Sequence, residues 1–331
     1  MKTKYIFITG GAGYIGSATA EALLKAGHHV TVYDSLVTGH RPAVPEGAKF
    51  IHAELSDSLA LAIALKEDKY DAVMHFAAFL NVGESVQRPL AYWRNNVANT
   101  LNLLESMEAH GVRRFVFSST CAVYGQPDEL PIVEDLPKAP ISPYGCTKLS
   151  VEWMLQNCAV AWGLGSIALR YFNAAGAAED GSLGEDHDPE IHLIPLVLRV
   201  ALGQRESIPV FGTDYPTPDG SCIRDYIHVD DLAEAHLRAV EAVQPGEFEA
   251  FNVGTGRGYS VLEIIAAARE VTQHPIPIDP APRRPGDPPL LFADPGRLQA
   301  RFNWLPRHKD VRQIIRTAWR WMQAHPHGYG D

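Results

Sequence analysis

Two rhythms of apolar and polar positions run along the first half of the chain. Short apolar runs at Tyr5–Ile8, His29–Tyr33, Lys49–His52, Asp71–His75, Arg114–Ser118 and Ser166–Arg170 read as strands. Runs such as Ala72-Val-Met74 are apolar at successive positions, which predicts a strand covered on both faces. Between the runs lie segments with helical spacing: Tyr14–Ala26, Asp57–Lys66, Ala91–His110, and a last one from about Tyr144 to Trp162. Val97, Leu101, Leu104 and Met107 form the stripe of the third, and Val151, Met154, Leu155, Cys158 and Trp162 that of the fourth. Strands alternating with helices over residues 1–170 predict an α/β domain with a doubly wound parallel sheet, since parallel neighbours need a crossover that a helix supplies.

After Arg170 the rhythm loosens. Gly, Pro, Asp and His crowd Asn173–Pro195, Thr213–Ser221 and His274–Pro289, with helices expected at Leu193–Gly203, Val229–Val243, Val261–Val271 and Val311–Ala324. This predicts a smaller, loop-rich α/β domain over 171–331, with an approximate boundary and interleaved segments. Loops carried by a rigid nucleotide domain suit substrate binding.

The first apolar run breaks at Gly10, Gly13 and Gly16, spaced G-x-x-G-x-x-G, and a helix follows at once. Strand, glycine turn and helix make a dinucleotide-phosphate site, because glycine lets the backbone approach a pyrophosphate and the helix N–H groups attract its charge. The second run ends at Asp34, at the distance expected of a ribose-binding carboxylate. Such a carboxylate accepts ribose hydroxyls and repels a 2′-phosphate, so NAD is favoured over NADP. A bare glycine hairpin or a solvated Asp would account for either feature singly.

Tyr144 and Lys148 stand at i and i+4, on one face of a helix turn. A phenol of pKa about 10 is a poor base at neutral pH, and a nearby cation favours the phenolate. Tyr144 is then a proton acceptor from an alcohol, with Lys148 lowering its pKa and binding a nicotinamide ribose. Thr120 ends the fifth run, at the strand edge where open α/β sheets bind ligands, and could relay a proton to Tyr144 or simply cap a turn. Arg224, Tyr226, Arg284 and Asp287 offer groups suited to a phosphate, ribose or base. The 14 histidines form no H-x-x-x-H pair, and no metal is expected.

At 331 residues the chain suits one large domain or two intimate ones. The balance of Lys+Arg 29 against Asp+Glu 39, net −10, argues against nucleic acid or an anionic membrane as partner. Met1-Lys-Thr-Lys4 leads into a strand without a signal-peptide pattern, and no apolar run reaches the roughly 18 residues of a membrane span. The four cysteines, Cys121, Cys146, Cys158 and Cys222, lack metal spacing and read as reduced thiols of a cytoplasmic protein.

Together these residues resemble the UDP-glucose 4-epimerase family of extended short-chain dehydrogenase/reductases, nearly end to end. The resemblance rests on Thr9-Gly-Gly-Ala-Gly-Tyr-Ile-Gly16, His75-Phe-Ala-Ala78, Val82-Gly-Glu-Ser85, Asn95-Asn-Val97 and Tyr124-Gly125. It continues through Ser142-Pro-Tyr-Gly-Cys-Thr-Lys148, Leu169-Arg-Tyr-Phe-Asn173, Phe211-Gly-Thr-Asp-Tyr215, Arg224-Asp-Tyr-Ile-His-Val229, Asn252-Val-Gly254 and Arg283-Arg-Pro-Gly-Asp287. It implies a Rossmann-type fold, a homodimer paired through helices such as Ala98–Met107 and Val151–Trp162, and NAD held throughout the cycle. By the resemblance Tyr14, Ile15, Asp34, Ser35, Glu54, Leu55, Phe76, Ala77, Ala78, Leu80, Asn95, Tyr144, Lys148 and Phe172 line the cofactor. Thr120, Tyr144, Asn173, His192, Leu193, Phe211, Arg224, Tyr226, Arg284, Asp287 and Leu291 hold a UDP-sugar. Glu54 stands where the family has Asp, Leu80 where some members have Lys, His192 where Asn is frequent, and Leu291 where a large aromatic or a small residue is usual. The implied reaction inverts C4 of a UDP-hexose through a 4-keto sugar.

Two other readings compete. A nucleotide-sugar 4,6-dehydratase needs an acid and a base directly after Thr120, where this chain has Cys121-Ala122. A non-catalytic NAD-binding protein would not be expected to keep both Tyr144 and Lys148.

Overall fold

The computed structural model describes residues 2–284 and 288–330. Its strands are β1 (Tyr5–Thr9), β2 (His29–Asp34), β3 (Lys49–His52), β4 (Ala72–His75), β5 (Arg114–Thr120), β6 (Gly165–Tyr171), β7 (Asn173–Ala175), β8 (Ile208–Phe211), β9 (Ile223–His228), β10 (Phe248–Val253), β11 (Gly258–Ser260), β12 (Ile278–Ala281) and β13 (Leu290–Leu291). Its helices are α1 (Tyr14–Lys25), α2 (Ser58–Glu67), α3 (Val82–Gln87), α4 (Pro89–Tyr92), α5 (Asn99–Ala109), α6 (Pro143–Trp162), α7 (Leu193–Ala201), α8 (Val229–Ala242), α9 (Val261–Thr272), α10 (Gly296–Phe302) and α11 (Val311–Ala324). None of the helices among these residues is long and apolar enough to cross a membrane.

Seven parallel strands form the main sheet in the order β10-β6-β5-β4-β1-β2-β3. The order reverses between β1 and β4, so the carboxyl ends of these two strands open a crevice there. The continuous apolar runs behave as their pattern requires. Ile6 and Ile8 join one core with Met74, Val116 and Leu169, while Phe7 joins the opposite one with Val73, Phe115 and Ala168. Alternate side chains of each strand thus feed the two faces of the sheet.

The second half does not stay apart from the first. Helix α8 packs on α1 through Val229 and Ala233 against Ala18. Strand β10 extends the main sheet beside β6, and α10 covers it, with the Phe251 and Phe302 rings 5.0 Å apart. The remainder builds its own core from α7, α9 and α11 over β7 and β8. Strands β7, β11 and β13 pair with β9, and β12 pairs with β8. Residues 229–253 and 296–302 therefore return to the core of the first domain, an interleaving that follows from β10 pairing at the sheet edge.

One helix departs from its pattern. The segment expected as a single helix over Ala91–His110 is divided by a π-helical turn, Trp93–Ala98, which carries Asn95 and Asn96. Asn96 is buried; its Oδ1 accepts the Phe79 N–H (2.8 Å), and its Nδ2 donates to Phe79 O (3.0 Å) and Thr147 Oγ1 (3.2 Å). One amide thereby joins the loop after β4 to α6.

Candidate functional site

A cavity of about 1300 Å³ runs along the carboxyl edge of the main sheet and into the second core. Its floor at one end is the glycine turn. Gly10 has φ +76°, and a Cβ there would lie 2.4 Å from Ala77 N. A Cβ on Gly16 would lie 2.1 Å from Gly10 O. Both positions are closed to any side chain by backbone. Gly13 differs: its Cβ would meet only Gly10 O, at 3.5 Å, and would otherwise take up cavity space. Gly13 also precedes α1, so no side chain caps that helix and its positive end faces the cavity.

Asp34 lies at the end of β2 with its carboxylate fixed by two backbone donors, the N–H of Ala12 (2.9 Å) and of Leu36 (2.8 Å). The oxygens keep further lone pairs for ribose hydroxyls. Ser35, Glu54, Leu55, Phe76, Ala77, Ala78, Leu80 and Asn95 complete this end, with Tyr14 and Ile15 at the start of α1. A cradle that only glycine leaves open, a helix N-terminus and a fixed carboxylate fit a dinucleotide.

Thr120, Tyr144, Lys148 and Phe172 line the middle of the cavity. Ser142 caps α6 by accepting the Gly145 N–H (3.2 Å), and Pro143 occupies its first turn, which places Tyr144 against the end of β5. Lys148, one turn on, is buried and donates to Ser118 O (2.8 Å), with its Nζ 6.0 Å from the Tyr144 ring centre. Thr120 Oγ1 accepts the Ala122 N–H (3.1 Å) and also bonds Tyr144, so it both caps a turn and meets the phenol.

The electrostatics correct one expectation. Burial pushes Tyr144 up to about 12, opposed by the hydrogen bond with Thr120. Burial also pulls Lys148 down to about 7, opposed by Glu152. The ammonium does not lower the phenol in the protein chain alone. Both groups lie in a desolvated pocket that disfavours either charge. Cys121 beside them is no acid or base, since burial drives its thiol well above the usual range and its Sγ donates to Arg170 O (3.3 Å).

Asn173, His192, Phe211, Arg224, Arg284 and Leu291 line the far end. The Arg284 guanidinium sits 3.9 Å from the Phe211 ring centre, a cation stacked on an aromatic face. Asn173 Nδ2 donates to Asp225 O (3.0 Å), tying β7 to β9. Leu193 and Tyr226 are not among the lining residues. Tyr226 is buried in the second core and Leu193 packs against that core, so their side chains are taken up by packing. Asp287 lies outside the described residues.

Several contacts here are not foreseen from the sequence, although Tyr124, Arg170, Asn252 and His192 stand in or beside the motifs quoted above. Arg170 and Glu152 form a buried ion pair (Nε to Oε1, 2.9 Å). Glu152 also accepts from Ser119, Arg170 donates to the Tyr124 hydroxyl, and Tyr124 donates to Asn252 Oδ1 (2.7 Å). The network ties β5, β6, α6 and β10 beneath the site. Glu185, His187, Glu190 and His192 also converge on the cavity wall. Burial opposes charge on both imidazoles, but Glu185 and Glu190 overcome it and raise His187 to about 9 and His192 to about 10. A spacing rule for helical pairs misses this group because it lies on a folded loop.

Comparison with known proteins gives the family and the fold. The family described as NAD dependent epimerase/dehydratase family matches residues 6–254. The chain is 50% identical over 332 residues to a UDP-glucose 4-epimerase of Streptomyces lividans, covering 100% of this chain and 99% of that one. It is 49% identical over 319 residues to a UDP-glucose 4-epimerase of Corynebacterium glutamicum, covering 96% of each. The solved structure of a UDP-glucose 4-epimerase from Bifidobacterium longum in complex with NAD+ and UDP superposes with a TM-score of 0.94 at 37% identity, covering 98% of this chain and 100% of that one.

Proposed function

This chain belongs to the NAD dependent epimerase/dehydratase family, and from that premise we propose how it works. It is an NAD-dependent isomerase that inverts C4 of a UDP-hexose, with UDP-glucose and UDP-galactose as the substrate pair. The observation that carries the residue roles is the order along one cavity: glycine cradle and Asp34, then Thr120, Tyr144 and Lys148, then Phe211, Arg224 and Arg284.

Gly10, Gly13, Gly16 and the start of α1 take the cofactor's pyrophosphate, and Asp34 takes the adenosine ribose. Bound NAD+ supplies a hydride acceptor for C4′, a hydride donor for the return step, and a positive ring beside the phenol. Tyr144 removes the 4′-hydroxyl proton, with the Thr120 hydroxyl holding the same oxygen. Lys148, anchored on Ser118 O, would hold the nicotinamide ribose. With the C4′ hydride gone, the sugar is a 4-keto hexose. It turns about its link to the diphosphate, accepts hydride on its other face, and regains the proton from Tyr144. Electrons and protons balance within one turnover.

Such rotation needs a firm hold on the nucleotide and a loose one on the hexose. Arg224, Arg284 and His192 supply charge for the diphosphate, Phe211 and Asn173 pack and orient the uridine, and Leu291 and Phe172 offer the hexose an apolar wall. Asp287 and Tyr226 enter this reading only through resemblance. A dehydratase reading is disfavoured by Cys121, since burial raises its thiol and disfavours the thiolate a base would need.

The chain also works as a cytoplasmic homodimer in this reading. Trp153 and Val160 on α6 are 53% and 91% exposed, and Leu101 on α5 is exposed as well, more apolar surface than one helix pair needs for its own core. A mass of one chain by light scattering at micromolar concentration would remove the dimer. The activity is tested by adding UDP-galactose to the purified chain without NAD. UDP-glucose should form, and denaturation should release close to one NAD(H) per chain and no NADP. Absence of turnover even with millimolar NAD would defeat the assignment.

A further inference from the structure

The loop joining β7 to α7 contains Glu185-Asp-His-Asp-Pro-Glu-Ile-His192 and folds so that four side chains meet. Glu185, His187, Glu190 and His192 each offer one donor atom, and the four atoms lie within 4.8 Å of one another. His192 Nδ1 is 2.9 Å from Glu185 Oε1 and from Glu190 Oε1. His187 Nδ1 is 3.4 Å from Glu185 Oε1 and 3.7 Å from Glu190 Oε2. Donors arranged tetrahedrally at about 2.0–2.1 Å from one zinc ion stand about 3.4 Å apart. The imidazole–carboxylate spacings, 2.9–3.7 Å, lie around that value, and the whole set, within 4.8 Å, would draw in on an ion.

Hydrogen bonding inside the cluster leaves specific atoms over. Glu190 Oε1 accepts the N–H of Ile191 (2.7 Å) and of His192 (2.8 Å), which fixes the carboxylate. Its other oxygen, Oε2, is buried without a hydrogen-bond partner, and so is His187 Nδ1, which it faces. The Glu190 side chain is only 1% exposed. Buried polar atoms are nearly always paired, yet these two face each other at 3.7 Å, beyond hydrogen-bond distance.

We propose that Glu185, His187, Glu190 and His192 bind one divalent transition-metal ion of the zinc class. Two imidazole nitrogens with two carboxylate oxygens suit Zn²⁺ or Co²⁺, whereas Mg²⁺, Ca²⁺ and Mn²⁺ prefer oxygen. The Tyr14 ring stands edge-on to His187, 6.3 Å between centres, and walls the cluster on one side. The four donors lie on the wall of the substrate cavity, and His192 is shared between the ion and the diphosphate end of that cavity. By tying Glu185, His187 and Glu190 to His192, the residue that opens α7, the ion would fix the wall of the cavity.

The test uses the full chain, stripped with EDTA, dialysed, and titrated with ZnCl₂ and CoCl₂. We expect one Zn²⁺ per chain by elemental analysis after gel filtration. Co²⁺ should show visible absorption of a mixed nitrogen/oxygen set, and saturating Zn²⁺ should raise the melting temperature. Glu190→Gln keeps the oxygen that accepts the two loop N–H groups and replaces the orphan by an amide, so affinity should fall at least tenfold with the fold intact. His187→Ala, checked by circular dichroism, should do the same. No retained ion at micromolar Zn²⁺ would overturn the proposal and leave the four groups as an ion-pair cluster. Stoichiometric binding unchanged in both variants would overturn it as well, by placing the ion elsewhere.

Discussion

Replacing Tyr144 by Phe removes one oxygen and leaves the ring in place. That oxygen bonds Thr120, whose Oγ1 keeps the Ala122 N–H at 3.1 Å after the change, so no buried group is orphaned. The cost to stability is then that of one net hydrogen bond, about 0.5–1.5 kcal/mol. The cost to catalysis is larger, because the 4′-hydroxyl loses the base that takes its proton, and the Thr120 hydroxyl that holds the same oxygen does not replace it. General-base catalysis is worth about 10²–10⁴-fold, or about 3–5 kcal/mol of barrier. The two numbers separate the roles: a fold-only residue would shift the melting temperature slightly and leave turnover near wild type. The assay couples UDP-glucose formation from UDP-galactose to an NAD⁺-dependent UDP-glucose dehydrogenase and reads absorbance at saturating substrate, beside a thermal melt. We expect turnover to fall at least a hundredfold with a near-normal melt. Turnover within tenfold of wild type would refute Tyr144 as the base.

Three further expectations are open to measurement. Lys148 titrates near 7 in the folded chain and near 10.5 unfolded, so between these values the unfolded state holds the extra proton and stability rises with pH. Between pH 7 and 9 the cofactor-free chain should gain stability toward urea that Lys148→Met does not gain, and parallel slopes in the two proteins would exclude the buried ammonium. Gly13→Ala should fold normally yet lose cofactor, since its Cβ enters only the cavity, whereas Gly16→Ala should destabilise the fold by pressing on Gly10 O; equal melts and full NAD content in both would contradict the cradle. Leu291, branched and unable to bond an acetamide, should favour UDP-glucose over UDP-N-acetylglucosamine by about 10–200-fold. Leu291→Ser should raise the acetylated activity and Leu291→Tyr abolish it, and equal kcat/KM for both sugars in the wild type would overturn this.

The sequence by itself determined what is local. Continuous apolar runs specified the buried strands β1, β4 and β5, because a parallel strand must be apolar on both faces. Gly10, Gly13, Gly16 and Asp34 were readable because strand, turn and helix impose their spacing within some thirty residues, and Tyr144 with Lys148 because one helix turn brings them to one face. The tertiary structure alone decided what depends on contacts between distant segments. Pairing of β10 with β6 returns the second half to the first core, and Asn96 reaches back to the loop after β4 only because a π-helical turn redirects it. Packing also withdrew Tyr226 and Leu193 from the cavity wall, although their neighbours Arg224 and His192 remain on it. The pKa values of Tyr144 and Lys148 follow from desolvation by the whole site, so their i, i+4 spacing announced the pair but misjudged its charge. Glu185, His187, Glu190 and His192 have no periodicity to read, since a loop's path is set by what it packs against and not by a repeat in its residues.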